Sequence, residues 1–198
     1  MNPGDVQWMT AGSGILHKEF HEREFSKKGG PFEMIQLWVN LPKKDKLALP
    51  KYQSLVGSEM STVTLPDNSG TVKVIAGNFS NTKGSASTFT EINMFDVRLN
   101  EHGEMTTSIP ASHNTTILVV EGNAEVNGQK AQLHDLVLFK NEGEVVKIKA
   151  NEKSVLLLLS GTPINEPVAQ YGPFVMNTQQ ELQESFEEYQ AGKFGVLN

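Results

Sequence analysis

The chain has 198 residues, 38% hydrophobic and 20% charged, a composition that builds a folded core and excludes a disordered, fibrous or collagen-like chain. Seventeen Lys+Arg against 23 Asp+Glu leave a net charge of −6, so no basic surplus exists for a nucleic-acid grip built on phosphate contacts. Cysteine is absent, which excludes disulfides and thiolate metal sites and agrees with a reducing compartment; the opening residues are not those of a signal peptide, and no apolar run reaches the roughly 18 residues of a membrane span.

Candidate chemistry comes first in the chain. Pro3-Gly4-Asp5 reads as a tight turn, and Gly4, Gly12 and Gly14 bracket a short apolar strand and then aim a second one that carries His17 and Glu19. Residues two apart on a strand share a face, so this imidazole and carboxylate would converge on one point before the sheet. That is half of a metal site. Its mixture of a neutral nitrogen and a charged oxygen suits iron, zinc, nickel, copper or manganese rather than calcium. The same spacing also describes two half-exposed polar residues, and the residues alone leave both readings open.

Residues 22–31 read as a charged loop closed by Gly29-Gly30-Pro31. The next stretch, 32–41, alternates Ile35, Leu37, Val39 and Leu41 with Gln36, Trp38 and Asn40, which predicts a strand with Trp38 as a packing residue. Pro42 and Pro50 limit a surface connection over 42–53, with a short turn of helix at 45–49 and a solvated basic turn, Lys43-Lys44-Asp45-Lys46. A boundary falls near residues 56–61.

Beyond it the pattern becomes short strands at short intervals: 62–65, 72–76, 89–99, 115–120, 123–126, 136–139, 145–150 and 155–160. Turn signals at residues 66–70, Asn127-Gly128, 141–143 and Asn151-Glu152 separate them. Eight strands without a helical period predict an antiparallel sandwich or barrel of jelly-roll type, with residues 155–159 buried on both faces. One helix comes after them. Thr178 and Glu181 form a capping box, Leu182, Phe186 and Tyr189 recur on one stripe, Gly192 ends it, and Glu181, Glu184, Glu187 and Glu188 face water.

The stretch from Asn2 to Glu19, the run Gln36-Leu37-Trp38-Val39-Asn40-Leu41-Pro42, the pair Tyr52-Gln53, and Gln170-Tyr171-Gly172-Pro173-Phe174-Val175-Met176-Asn177-Thr178 together resemble the pirin family of the cupin superfamily. The resemblance implies two jelly-roll barrels, the first holding one metal ion, usually iron, on three histidines and one glutamate. One His-x-His pair comes early in the family, and a His-x-Glu succeeds the Pro-Gly-Asp turn; the latter maps onto His17 and Glu19. Complete members begin several strands before that turn, so this chain is expected to be N-terminally truncated relative to them and to lack two of four ligands. No His-x-His occurs among His17, His21, His102, His113 and His134. His21 could serve as a third ligand but is expected in the loop past the barrel mouth. Many relatives have His-Gly where this chain has Glu33-Met34.

The general cupin pattern G-x5-H-x-H-x3,4-E-x6-G, counted back from Gly122, puts Thr115 at the glutamate position and Ser108/Pro110 or Ile109/Ala111 at the histidine positions. None of these holds a transition metal well. His113 and His134 read as surface or turn histidines, and the second barrel as a structural one.

The expected fold is therefore all-β, a bicupin with an incomplete first barrel over 1–58, and a complete second barrel with a C-terminal α-helix over 59–198. Two functions compete. In one, Fe(2+) held by His17 and Glu19 (or Zn, Ni, Cu or Mn) binds a flavonol, with quercetin 2,3-dioxygenase-type activity and Glu19 as ligand and catalytic proton acceptor. In the other, the chain is a metal-poor regulator acting through protein contacts, the resemblance implying a transcription-factor type of partner. The expected location is the cytoplasm, or the nucleus in a eukaryote. The expected association state is a homodimer in which two incomplete barrels cover one another's open edges.

Overall fold

Residues 145–150 show how this sequence makes its sheets. Val145, Lys147 and Lys149 are exposed while Val146, Ile148 and Ala150 are buried, the period of two that a sheet with one wet face requires. The computed structural model describes residues 1–197. In chain order its elements are β1 (Val6–Thr10), α1 (Arg23–Lys28), β2 (Lys51–Leu55), β3 (Thr62–Thr64), β4 (Gly70–Ala76), β5 (Asn78–Phe79), β6 (Thr82–Lys83), β7 (Ile92–Leu99), β8 (Glu104–Ser108), β9 (Asn114–Glu121), β10 (Ala124–Val126), β11 (Gln129–Ala131), β12 (Leu136–Leu138), β13 (Val145–Ala150), β14 (Ser154–Gly161), β15 (Ala169–Tyr171), β16 (Phe174–Met176) and α2 (Gln179–Gln190). Strand accounts for 38% and helix for 12%, the latter counting 3-10 turns at Lys43–Asp45 and Pro66–Asn68 beside α1 and α2, so the chain is all-β. No helix among the described residues is long and apolar enough to cross a membrane.

By their contacts the residues form two units. One comprises Gly4–Val6 and Leu55–Pro163; the other comprises Met1–Pro3, Gln7–Ser54 and Ile164–Asn198. The former is a sandwich. Its six-stranded sheet runs β12-β9-β14-β7-β4-β3 and its four-stranded sheet β11-β10-β13-β8, every pairing antiparallel. Phe95, Val97, Ile117, Leu156 and Leu158 of the larger sheet pack with Met105, Val126, Val146 and Ile148 of the smaller one in a single core. β14 lies between β7 and β9, pairing Leu158 with Phe95 on one side and Ile117 on the other. Of the apolar run predicted to be buried, residues 155–159, the first four are buried and Leu159 is half-buried. Asn127 and Gly128, at φ 48 and 80, make the two-residue link between β10 and β11, a geometry in which two successive positive φ values match strand twist.

The other unit holds β1 from Gln7 and β2 up to Ser54, the β15–β16 pair and both α-helices. The capping box of α2 forms as predicted: the Glu181 amide donates to Thr178 Oγ1 at 3.2 Å, and the Asn177 and Thr178 amides each donate to Glu181 Oε2 at 2.9 Å. These amides hold the Glu181 carboxyl below the usual range, against the opposing effect of desolvation. Glu181 also meets Lys43 Nζ at 3.6 Å, so it is not simply a solvated member of the acidic face. Contacts group α2 with residues 7–54, whereas the expected division placed it within 59–198.

Three expectations do not hold. The loop at 22–31 contains α1, because the Glu22 carboxylate caps the amides of Glu24 and Phe25 at 2.8 and 2.9 Å, and Lys27 and Lys28 in the last turn complement the helix dipole. Residues 15–20 and 32–41 are irregular rather than strands. The alternation is present, but a strand exists through its ladder of inter-strand hydrogen bonds, and neither segment has one among the described residues. Trp38 is accordingly 60% exposed rather than packed.

Candidate functional site

The site begins at the Pro3-Gly4 turn. Asp5 accepts the Gly57 amide at 2.7 Å, and Gly4 has φ 85. Val6–Thr10 then pairs with Lys51–Leu55. Past β1 the chain turns tightly: the Gly14 amide donates to Ala11 O at 2.9 Å and the Ser13 amide to Ala48 O at 2.8 Å. Gly12 has φ 50, and a Cβ there would overlap the Ala48 carbonyl, so glycine is required on two counts. His17 and Glu19 leave this turn on the irregular segment, and both are exposed. Lys18 lies 5.5 Å over the Phe20 ring.

As donors, His17 and Glu19 suit a borderline divalent ion in kind, one imidazole and one carboxylate. In number they are two. No group of three or more His, Cys, Asp or Glu side chains that could hold a metal forms among the described residues. His21 packs against aromatic rings, 5.7 Å from Phe25 and 5.0 Å from Phe32, rather than beside the other two.

In the sandwich, the positions counted as cupin ligands carry no metal donor set, and Thr115 and Ile109 are buried. His113 closes the turn after Pro110, its amide donating to the Pro110 carbonyl at 2.9 Å, as the turn reading expected, but its side chain is buried rather than on the surface. Its Nδ1 lies 3.4 Å from Ser160 Oγ, and its Nε2 3.2 Å from Thr162 Oγ1 and 3.7 Å from Glu91 Oε2. This ring joins the start of β9 to the end of β14, and its burial is possible because both nitrogens have polar partners. His134, at φ 68, occupies a turn and is exposed, as expected.

Sequence reasoning missed a polar cluster built around Lys46. Expected to be solvated, Lys46 is only 7% exposed; its Nζ donates to Asn40 Oδ1. Glu166 accepts the Lys43 amide at 2.7 Å and Asn177 Nδ2 at 3.1 Å, while buried Asn177 Oδ1 accepts no hydrogen bond from the described protein atoms. The sequence signal was faint: one lysine among charged neighbours.

Burial pushes the Lys46 ammonium below its ordinary value, against the attraction of Glu166 and Glu181. A lysine so lowered binds its proton less well folded than unfolded, so its charge weakens the fold at neutral pH. That cost fades as pH rises through the lowered value toward 10.5. Lys46→Met, which leaves Asn40 still accepting the Leu41 amide, is therefore expected to gain on the unsubstituted chain at neutral pH. Denaturant midpoints measured from neutral to alkaline pH should show that gain shrinking. A constant gap would contradict the assignment.

Known proteins share this architecture. The family model described as "Pirin" matches residues 1–39, and that described as "Pirin C-terminal cupin domain" matches residues 94–195. A Pseudomonas aeruginosa protein provisionally named quercetin 2,3-dioxygenase is 39% identical over 98% of this chain and 68% of its own length. Mouse pirin is 35% identical over 98% of this chain and 67% of its own. The crystal structure of a quercetin 2,3-dioxygenase from Acinetobacter baumannii superposes with a TM-score of 0.93 at 41% identity, covering 98% of this chain and 68% of that one. The chain thus spans about two thirds of the length of these relatives.

Proposed function

The chain belongs to the pirin family, whose second domain is a cupin, and we propose that it takes up a divalent metal ion, iron foremost, through His17 and Glu19. On this reading a completed site supports quercetin 2,3-dioxygenase-type chemistry on a flavonol. The observation that carries it is the match to the Acinetobacter baumannii enzyme, at 41% identity over 98% of this chain. Bound there, the ion would polarise substrate oxygens and orient the substrate. His17 would contribute a neutral nitrogen, and Glu19 an oxygen that can also accept a proton.

Two donors bind such an ion weakly. Elemental analysis after purification without added metal is expected to find well under one ion per chain, and His17→Ala to remove what remains. Flavonol consumption with added iron(II) that is unaffected by His17→Ala would overturn the assignment. So would stoichiometric metal that survives the substitution.

A second reading is favoured by one observation, the absence of a third ligand in reach among the described residues. Here the chain works without metal, through protein contacts, and we propose a second copy of the chain as its first partner. Full metal uptake with flavonol turnover separates the two readings in favour of the enzyme.

A further inference from the structure

Gly14 and Phe194 are 180 positions apart in a sequence of 198 residues and meet directly. Gly14 has φ 113, and a Cβ on it would overlap the Phe194 ring. Two residues on, the Leu16 amide donates to the Phe194 carbonyl at 3.2 Å. The ring is itself held from behind, 6.1 Å from Phe174 and 6.1 Å from Tyr189, and Phe174 packs on Phe186 of α2 at 5.1 Å. The backbone around it is set by the end of α2: the Gly192 amide donates to Tyr189 O at 3.0 Å and the Lys193 amide to Glu188 O at 3.1 Å. An aromatic platform built from β16 and α2 thus presses one ring and one carbonyl onto the turn from which His17 departs.

This contact lies immediately ahead of the two candidate ligands. Among the described residues, 15–20 have no strand ladder to set their direction. At the turn they are anchored by the Ser13 amide on the Ala48 carbonyl and the Leu16 amide on the Phe194 carbonyl. We propose that Phe194 is a positioning residue: it locks the Gly14–Leu16 turn by a ring-on-glycine contact and a main-chain hydrogen bond, and so sets the direction in which His17 and Glu19 leave it. The proposal rests on the metal reading above. Removing a group that orients ligands without touching the metal typically costs about 10–100-fold in affinity.

The test uses the full chain and Zn(2+) as the probe. Without metal, Phe194→Ala is expected to speed amide hydrogen exchange at Leu16 by about tenfold or more, since it opens a local contact while leaving the global fold intact. In zinc titration the same variant is expected to bind about tenfold more weakly, the lower end of the usual loss for an orienting group. Phe194→Leu, which keeps an apolar side chain on Gly14, should restore most of both. Gly14→Ala should reproduce the alanine phenotype from the other side of the contact, and it serves if Phe194→Ala does not fold. His17→Ala should lose zinc while Leu16 exchange stays slow. Unchanged Leu16 exchange in Phe194→Ala and Gly14→Ala overturns the lock; faster exchange with unchanged zinc affinity overturns the positioning role. If the unsubstituted chain takes up no zinc, the metal reading itself fails and carries the positioning role with it.

Discussion

Phe95→Ala is expected to destabilise the sandwich by about 3–5 kcal/mol, the usual range for truncating a buried aromatic. Phe95 is 1% exposed and meets Phe79 edge-on at 5.5 Å. It sits on β7 between two paired strands, opposite Leu158 of β14 and Val74 of β4. With the backbone held from both sides, the walls cannot collapse into the space the ring leaves, so the cavity cost adds to the lost transfer energy. The two tryptophans, Trp8 and Trp38, both lie in the other unit. Far-UV circular dichroism, dominated by the sandwich strands, is therefore the signal to follow in urea. A loss below about 1 kcal/mol, well under the range for a buried aromatic, would mean that the core relaxes around the truncation.

The second large effect concerns association. Phe32, Met34, Ile35, Leu37, Trp38 and Val39 are between 41 and 60% exposed along a single run. Half-exposed side chains of this size leave roughly 600 Å² open, taking about 200 Å² for a whole aromatic and somewhat less for an aliphatic. That approaches the roughly 800 Å² per partner of a standard stable interface. It also stands at the upper end of the roughly 300–600 Å² that a monomer's largest apolar patch ordinarily covers. At about 25 cal/mol per Å², covering it would return roughly 15 kcal/mol per copy before the costs of association. The occupant we propose is the same run on a second copy, since a self-complementary contact closes upon itself and needs no other chemistry. Light scattering at tens of micromolar is expected to give about twice 21.8 kDa, and Ile35→Glu with Trp38→Glu is expected to return it to the single-chain value. A single-chain mass for the unsubstituted protein would refute the dimer.

What could be read in advance was chemistry confined to a few neighbouring residues. Thr178 with Glu181, Asn127 with Gly128, the alternation over residues 145–150 and the apolar run in β14 each carry their own reason for the structure they adopt, and the fold contains each of them. β8 was invisible because only Met105 among its five residues is apolar and buried; it is a strand because β13 pairs with it. Residues 32–41 failed in the opposite sense, having the pattern without the pairing. α1 buries no residue, so it has no apolar stripe to detect, and its cap is a glutamate rather than one of the usual short polar residues. At the candidate site the identities of His17 and Glu19 were legible, whereas their placement depends on Ala48 and Phe194, contacts that no local pattern announces. Lys46 was misjudged, and the burial of His113 within its expected turn was unforeseen, for the same reason: burial of a polar side chain is decided by partners distant in sequence.

The order of the two units along the chain has a consequence for biosynthesis. The sandwich is almost continuous, Leu55–Pro163, whereas the other unit joins residues 7–54 to residues 164 onward. During synthesis the first part of that unit leaves the ribosome early and must wait for the whole sandwich to be made before Phe174, α2 and Phe194 exist to receive it. Domains fold as their residues emerge, so the sandwich is complete while residues 7–54, with their apolar run, still await the part of their unit that follows residue 163. That interval is when a nascent chain is most open to capture by chaperones or by its neighbours on the same message, and its length is set by the residues inserted between the two halves.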